Sequence, residues 1–255
     1  AYEIASCLVG SEMCIRDRLR FQMRSRLTIK IKNILVGEVW ICSGQSNMEW
    51  KVAQCANPKV EIAKSNYPKI RLFDVPGHTV HPLPQQEGKG EWKVCSPQSV
   101  ASFSATGYYF GRRLHLSLGV PVGLIGSNWG GTKIEPWTTL DGFKSVPELS
   151  KLAESVSAYT AETKVGGGTP SAIYHSMVHP ITPYAMRGAI WYQGESNGRR
   201  GHAYREVFPL MIQSWRDAWK QGDFSFYWVQ LADFMNEVPE PPTEQTWPEL
   251  REAQT

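Results

Sequence analysis

No run of 18 uninterrupted apolar residues occurs in the chain, so no segment reads as a membrane-spanning helix. Charge of one sign is also missing from the body of the sequence. Residues 1–32 hold seven Lys/Arg against three acids, while the remainder carries 20 bases and 21 acids. A nucleic-acid binder is expected to show a basic stripe on its folded body, and none appears in this sequence. Cysteine is sparse, five in 255 residues and none in C-x-x-C spacing. No internal repeat is present. What is abundant is aromatic: ten Trp and ten Tyr, which supply buried area first and sugar-stacking platforms second.

The first eighteen residues, AYEIASCLVGSEMCIRDR, lack the basic start, apolar run and small-residue cleavage site of a signal peptide. They resemble a translated sequencing-adapter fragment and are set aside as a non-native leader (1–18). That removes Cys7 and Cys14; the remaining Cys42, Cys55 and Cys95 cannot all pair. Residues 19–33 read as the edge of a missing amino-terminal region, and 34–255 as one enzyme-sized domain.

Within that domain short apolar runs alternate with helical patterns. Residues 28–32 alternate as an edge strand and Ile34–Cys42 reads as a buried central one. Ile70–Val75 predicts a strand followed by a surface excursion. Residues 104–118 predict a helix ended by Gly119 and Pro121, and Val122–Gly126 a buried strand. A helix is expected over 141–163 and a flexible join at Gly166-Gly167-Gly168. Ala189–Tyr192 is another buried strand. Tyr204, Val207, Phe208, Met211, Trp215, Ala218 and Trp219 then form one apolar helical face, ended by Gly222, before a strand at Phe226–Leu231. Strands alternating with helices predict a parallel α/β sheet covered on both faces.

Three of these strands stop at small polar turns: GQSN at 44–47, NWGGT at 128–132 and QGESN at 193–197. In open α/β sheets the ligand crevice lies beyond the carboxyl ends of the strands, so three such turns can assemble one site. Ser46, on a sharp strand exit, is a candidate nucleophile. Candidate oxyanion donors are the backbone N–H groups of Ser46 and of Gly130 or Gly131, with the Gln193 amide as a third that donates without titrating. A serine in a single turn is far more often structural; the three turns together carry the reading.

The segments GEVWICSGQSNMEW, GLIGSNWGGTKIEPW and AIWYQGESN resemble the sialate O-acetylesterase family of SGNH/GDSL hydrolases, over roughly residues 28–254. The resemblance implies a three-layer α/β/α sandwich with a parallel flavodoxin-like sheet. It implies removal of acetyl groups from sugar hydroxyls, in sialic acids or polysaccharides, by an extracellular or periplasmic protein that needs no cofactor or metal. It makes Ser46 the nucleophile, Gly130-Gly131 the oxyanion glycines and Gln193 the residue completing the hole. Glu195 becomes either the acid that orients the catalytic His or a brace for its own loop. Asn47, Trp50, Asn128, Trp129 and Asn197 are expected to meet substrate, an acetylated sugar or glycan. The family's base lies in a late Asp-x-x-His block, beyond the segment matching Trp247–Gln254. None of the six His here matches it, so the chain is expected to stop short of its base and to be nearly inactive alone.

Two other chemistries fail on their own residues. His175 and His179 have i, i+4 spacing, but Ser176 stands where a zincin needs Glu, and Pro180 ends any helix. Gly44-Gln45-Ser46-Asn47-Met48 lacks the second Gly of an α/β-hydrolase elbow. The alternative from another class is a non-catalytic carbohydrate-binding protein with a cleft lined by Trp50, Trp129 and Trp137. Sugar binding alone has no use for an oxyanion hole.

Overall fold

The computed structural model describes residues 18–22, 28–234 and 246–255; of the leader expected at 1–18, all but Arg18 lies outside the described residues. Strands β1 (Arg18–Gln22) and β2 (Thr28–Lys32) pair antiparallel with each other as a separate ribbon. The expected edge strand at 28–32 therefore forms, but off the main sheet.

The main sheet has six strands: β3 (Glu38–Gly44), β4 (Tyr67–Asp74), β5 (Trp92–Cys95), β6 (Val122–Asn128), β7 (Gly188–Tyr192) and β8 (Ser225–Trp228). Their order is β5-β4-β6-β3-β7-β8, parallel throughout except for the antiparallel edge strand β5. Counted along the chain, the five parallel strands lie 2-3-1-4-5, whereas flavodoxin lies 2-1-3-4-5. The layers carry over, and the order of neighbours differs. From β3 the chain goes out to β4, returns to β6 in the gap between them, then crosses to the other side for β7 and β8. The direction reverses beside β3, which makes its carboxyl end the switch point where a crevice opens.

Side-chain alternation shows why two helical layers are needed. Trp40, Cys42, Leu124 and Ile190 point to one face, against Tyr108 of the helix Ala105–Leu118. Ile41, Ile125, Ala189 and Trp191 point to the other, against Val207, Phe208, Met211 and Trp215 of the helix Gly201–Trp219. Fully burying one such side chain is worth about 1.5–3 kcal/mol, so neither face can be left to water. The result is the expected α/β/α sandwich.

The helix Ala105–Leu118 starts where Ser104 accepts the Gly107 N–H and stops at Gly119 in the left-handed conformation. The helix expected over 141–163 is broken instead. Leu140–Lys144 ends before Pro147, which opens a 3-10 turn, and Ser150–Ser157 follows. The Gly201–Trp219 helix is capped by Lys220 (φ 54°) rather than by Gly222. β8 is shorter than the run Phe226–Leu231 suggested. Among the described residues no helix is long and apolar enough to cross a membrane.

Candidate active site

β3 ends at Gly44, whose φ of 139° is a glycine conformation. A Cβ there would lie 2.2 Å from the Tyr192 carbonyl oxygen, so only glycine lets β7 come this close. The turn is then stitched to both neighbours: Gln45 N–H donates to Tyr192 O (2.9 Å) and Trp129 N–H to Gly44 O (3.0 Å). The buried Gln45 side chain reaches into the third turn, where its Oε1 accepts Gly194 N–H and Ser196 N–H, both at 3.3 Å. GQSN, NWGGT and QGESN thus meet around the end of one strand.

Ser46 opens the short helix Ser46–Glu49 and is exposed, its hydroxyl without a hydrogen bond among the described residues. Its own N–H and that of Asn47 have no acceptor there either, as expected for the first turn of a helix. Met48 is buried beneath them and receives the Ser104 hydroxyl at 3.5 Å. The loop after β6 passes directly beside Ser46: a Cβ on Gly130 would come within 3.5 Å of the Ser46 Cβ. Gly130 N–H is taken by Glu49 Oε2 (2.6 Å). Gly131 (φ 74°) is exposed, with open space around it and no acceptor for its N–H among the described residues.

Glu195 faces the same turn. Its Oε1 accepts from Asn47 Nδ2 at 2.5 Å, while Oε2 is buried with no hydrogen-bond partner among the described residues.

Gln193 departs from expectation. It is fully buried, and both amide hydrogens are committed, to Thr132 O (3.1 Å) and Asn197 Oδ1 (2.8 Å). Its Oε1 accepts the Tyr204 hydroxyl at 3.0 Å. No donor is left for an oxyanion, so Gln193 here ties the second turn to the third. Asn197 is likewise interior rather than facing substrate. Its Oδ1 also accepts Ile134 N–H (3.0 Å), and its Nδ2 donates to Glu135 Oε2 (3.1 Å), a buried carboxylate whose other oxygen pairs with Arg200 at 2.9 Å.

A family model described as "Carbohydrate esterase, sialic acid-specific acetylesterase" matches residues 36–255. The sialate O-acetylesterases of Pongo abelii and Homo sapiens are each 30% identical to this chain, over 246 and 251 residues, covering 89% of it. A crystal structure of a carbohydrate acetylesterase from Xanthomonas citri superposes with a TM-score of 0.76 at 34% identity, covering 93% of this chain and 50% of that one. The chain belongs to the sialic acid-specific acetylesterase family of carbohydrate esterases. It spans 45% of the length of the two curated relatives.

Measured as an acetylesterase-family site, the remaining expected contacts divide. Asn47 and Asn128 lie at the crevice, Asn128 Nδ2 making only a long 3.5 Å contact to Cys42 O. Trp50 is half exposed, its indole N–H on Gln54 O at 3.2 Å. Trp129 is not an open platform, because the His78 ring lies flat on it (centroids 4.7 Å, planes 6° apart) and Gly167 packs close to its ring. Trp137 is core, its indole N–H on Thr132 Oγ1 (3.0 Å), so the cleft of three tryptophans does not form.

No described His is hydrogen-bonded to Ser46. His115 bonds Val120 O, His202 pairs with Glu249, and His81, His175 and His179 fasten the excursion after β4. Only His78 approaches, through Glu49 (2.9 Å). Sequence reasoning missed Gln45, Glu49, His78, Glu135, Tyr204 and Gln254. Glu49 alone had a signal, standing three residues after Ser46 and hence on the same face of any helix begun there.

Proposed function

We propose that this protein is a serine carbohydrate O-acetylesterase, acting on acetyl esters of sialic acids or polysaccharides. The observation that carries the reading is the exposed, unbonded Ser46 hydroxyl at the switch point of the sheet, beside free backbone N–H groups. Ser46 Oγ attacks the acetyl carbonyl and its proton passes to a base. The tetrahedral oxyanion is held by the N–H of Ser46 and by the Gly130-Gly131 loop. Collapse releases the sugar hydroxyl and leaves an acetyl-enzyme, which water cleaves to acetate. The names of the relatives support the choice of acetyl esters on sugars. The same resemblance favours a role outside the cytoplasm.

The base is a histidine from outside the described residues, in the late block that the resemblance implies. The buried Glu195 Oε2 supports this reading, being an acceptor without a donor next to the nucleophile's helix. A carboxylate oxygen so placed fits the ring N–H of an imidazole whose other nitrogen faces Ser46.

The test is release of acetate by the full-length protein from O-acetylated sialic acid and acetylated xylo-oligosaccharides, with p-nitrophenyl acetate as a generic ester. Ser46→Ala is expected to lower turnover about 10³-fold or more. Turnover that survives Ser46→Ala at the parent level overturns the assignment.

A further inference from the structure

Glu49 belongs to the nucleophile's own helix yet binds two other parts of the chain. Its Oε2 accepts Gly130 N–H at 2.6 Å and its Oε1 bonds His78 Nε2 at 2.9 Å. His78 in turn lies flat on Trp129, the residue before Gly130. The loop that passes the nucleophile is therefore gripped twice, through its amide by Glu49 and through its ring by His78. Gly167 closes the arrangement, since a Cβ on it would meet the Trp129 ring at 2.9 Å. A Cβ on Gly130 would stand 2.9 Å from Glu49 Oε2, so a side chain there would displace the Glu49 carboxylate.

This arrangement separates the two glycines. Gly130 N–H is spent on Glu49, whereas Gly131, left-handed and exposed, keeps its N–H open. The geometry points to Glu49 as a positioning residue for the oxyanion site: it holds the Gly130 amide so that Gly131 N–H and Ser46 N–H face the acetyl carbonyl, with His78 holding Glu49 in turn. The inference rests on the esterase reading above and adds to it which glycine donates and what aims it. A donor is useful only when it points at the place where charge develops. Losing one outright costs about 10²–10³-fold in kcat, and a misplacement near 1 Å costs up to about 10²-fold.

The experiment measures kcat, KM and thermal midpoint for p-nitrophenyl acetate hydrolysis by the full-length protein and its variants. Glu49→Ala is expected to lower kcat about 10–100-fold, with KM within about threefold and the midpoint unchanged. Glu49→Gln retains an acceptor for Gly130 N–H and is expected to stay within about threefold of the parent. His78→Ala should fall between the two. A Glu49→Ala kcat equal to or above the parent's overturns the inference, as does a fall in kcat matched by a fall in midpoint. A folded Glu49→Gln as slow as Glu49→Ala also overturns it, by showing that charge matters rather than the hydrogen bond. Ser46→Ala run alongside keeps the two readings apart. If it is inactive while Glu49→Ala is normal, only the role of Glu49 falls; if it is active, the esterase reading falls and takes this one with it.

Discussion

A buried amide with all its hydrogen-bonding capacity used contributes to folding before it contributes to catalysis. Gln193 bonds Thr132 O, Asn197 Oδ1 and the Tyr204 hydroxyl, while its own carbonyl receives Gln254 Nε2 at 2.9 Å. Gln193→Ala leaves several of these partners dry and unpaired. We expect it to cost about 2–4 kcal/mol of unfolding free energy by urea titration, with Tyr204→Phe costing about 1 kcal/mol. A Gln193→Ala protein with parent stability and a lowered kcat would return the residue to the oxyanion site. The sequence showed that Gln193 sits at a strand end in a polar turn, and that much stands. Whether its amide faces the crevice or the interior depends on Tyr204, eleven residues on, and on Thr132 in another loop. No local pattern encodes that. The exposed turn at Ser46 was legible because it is short and glycine-led; the Glu49–His78 bond was not, because it joins residues with no common motif.

At the scale of elements, legibility followed periodicity. The Gly201–Trp219 helix buries six of the seven residues read from its spacing, all but the half-buried Ala218, and the central strands alternate between two covered faces. Where a proline interrupts, pattern alone overran the element, as at Pro147. The stretch around His175 is a different case, a π-helix over Tyr174–Val178 running into a 3-10 turn at His179–Ile181. Its histidines, spaced like metal ligands, are latches. His175 Nδ1 bonds His81 O at 3.3 Å and His179 Nδ1 bonds Gln85 O at 2.7 Å, which pins the excursion after β4 to the body. Among the described residues no cluster suited to a metal ion occurs. Burial pushes the His175 pKa below the ordinary 6.5, aided by His179 and His81 and opposed by the carbonyls of His81 and Pro82. The folded state thus favours neutral His175, while the unfolded chain protonates it near 6.5. Its contribution is complete above that pH and is lost as pH falls through the window below it. We expect the slope of unfolding free energy against pH to be more positive between pH 7 and 5 in the parent than in His175→Gln, and alike in the two between pH 8 and 7. An unchanged slope would show that His175 titrates alike in both states.

Across the whole molecule, the crevice is a product of strand order. Ser46, the Gly130 loop and Glu195 are far apart in sequence, and they meet only because β3 lies between β6 and β7. The parallel sheet was legible from alternating strands and helices. Its order was not, since neighbours are chosen by crossovers that leave no periodic trace. The amino-terminal ribbon stands apart from this logic. β1 and β2 pair only with each other, the main sheet begins at Glu38, and the family match begins at residue 36. A two-stranded ribbon is marginal in water on its own. Asn33 Oδ1, accepting from Arg71 Nη2 at 2.9 Å, links the boundary to β4. Removing residues 1–33 leaves the six-stranded sheet and the family-matched residues intact, and is expected to change unfolding free energy by no more than about 1 kcal/mol, the scale of a single hydrogen bond. Ser46-dependent turnover should stay within about twofold of the parent. A larger loss in either would mean that residues 1–33 belong to the folding unit, and that the domain begins before Ile34.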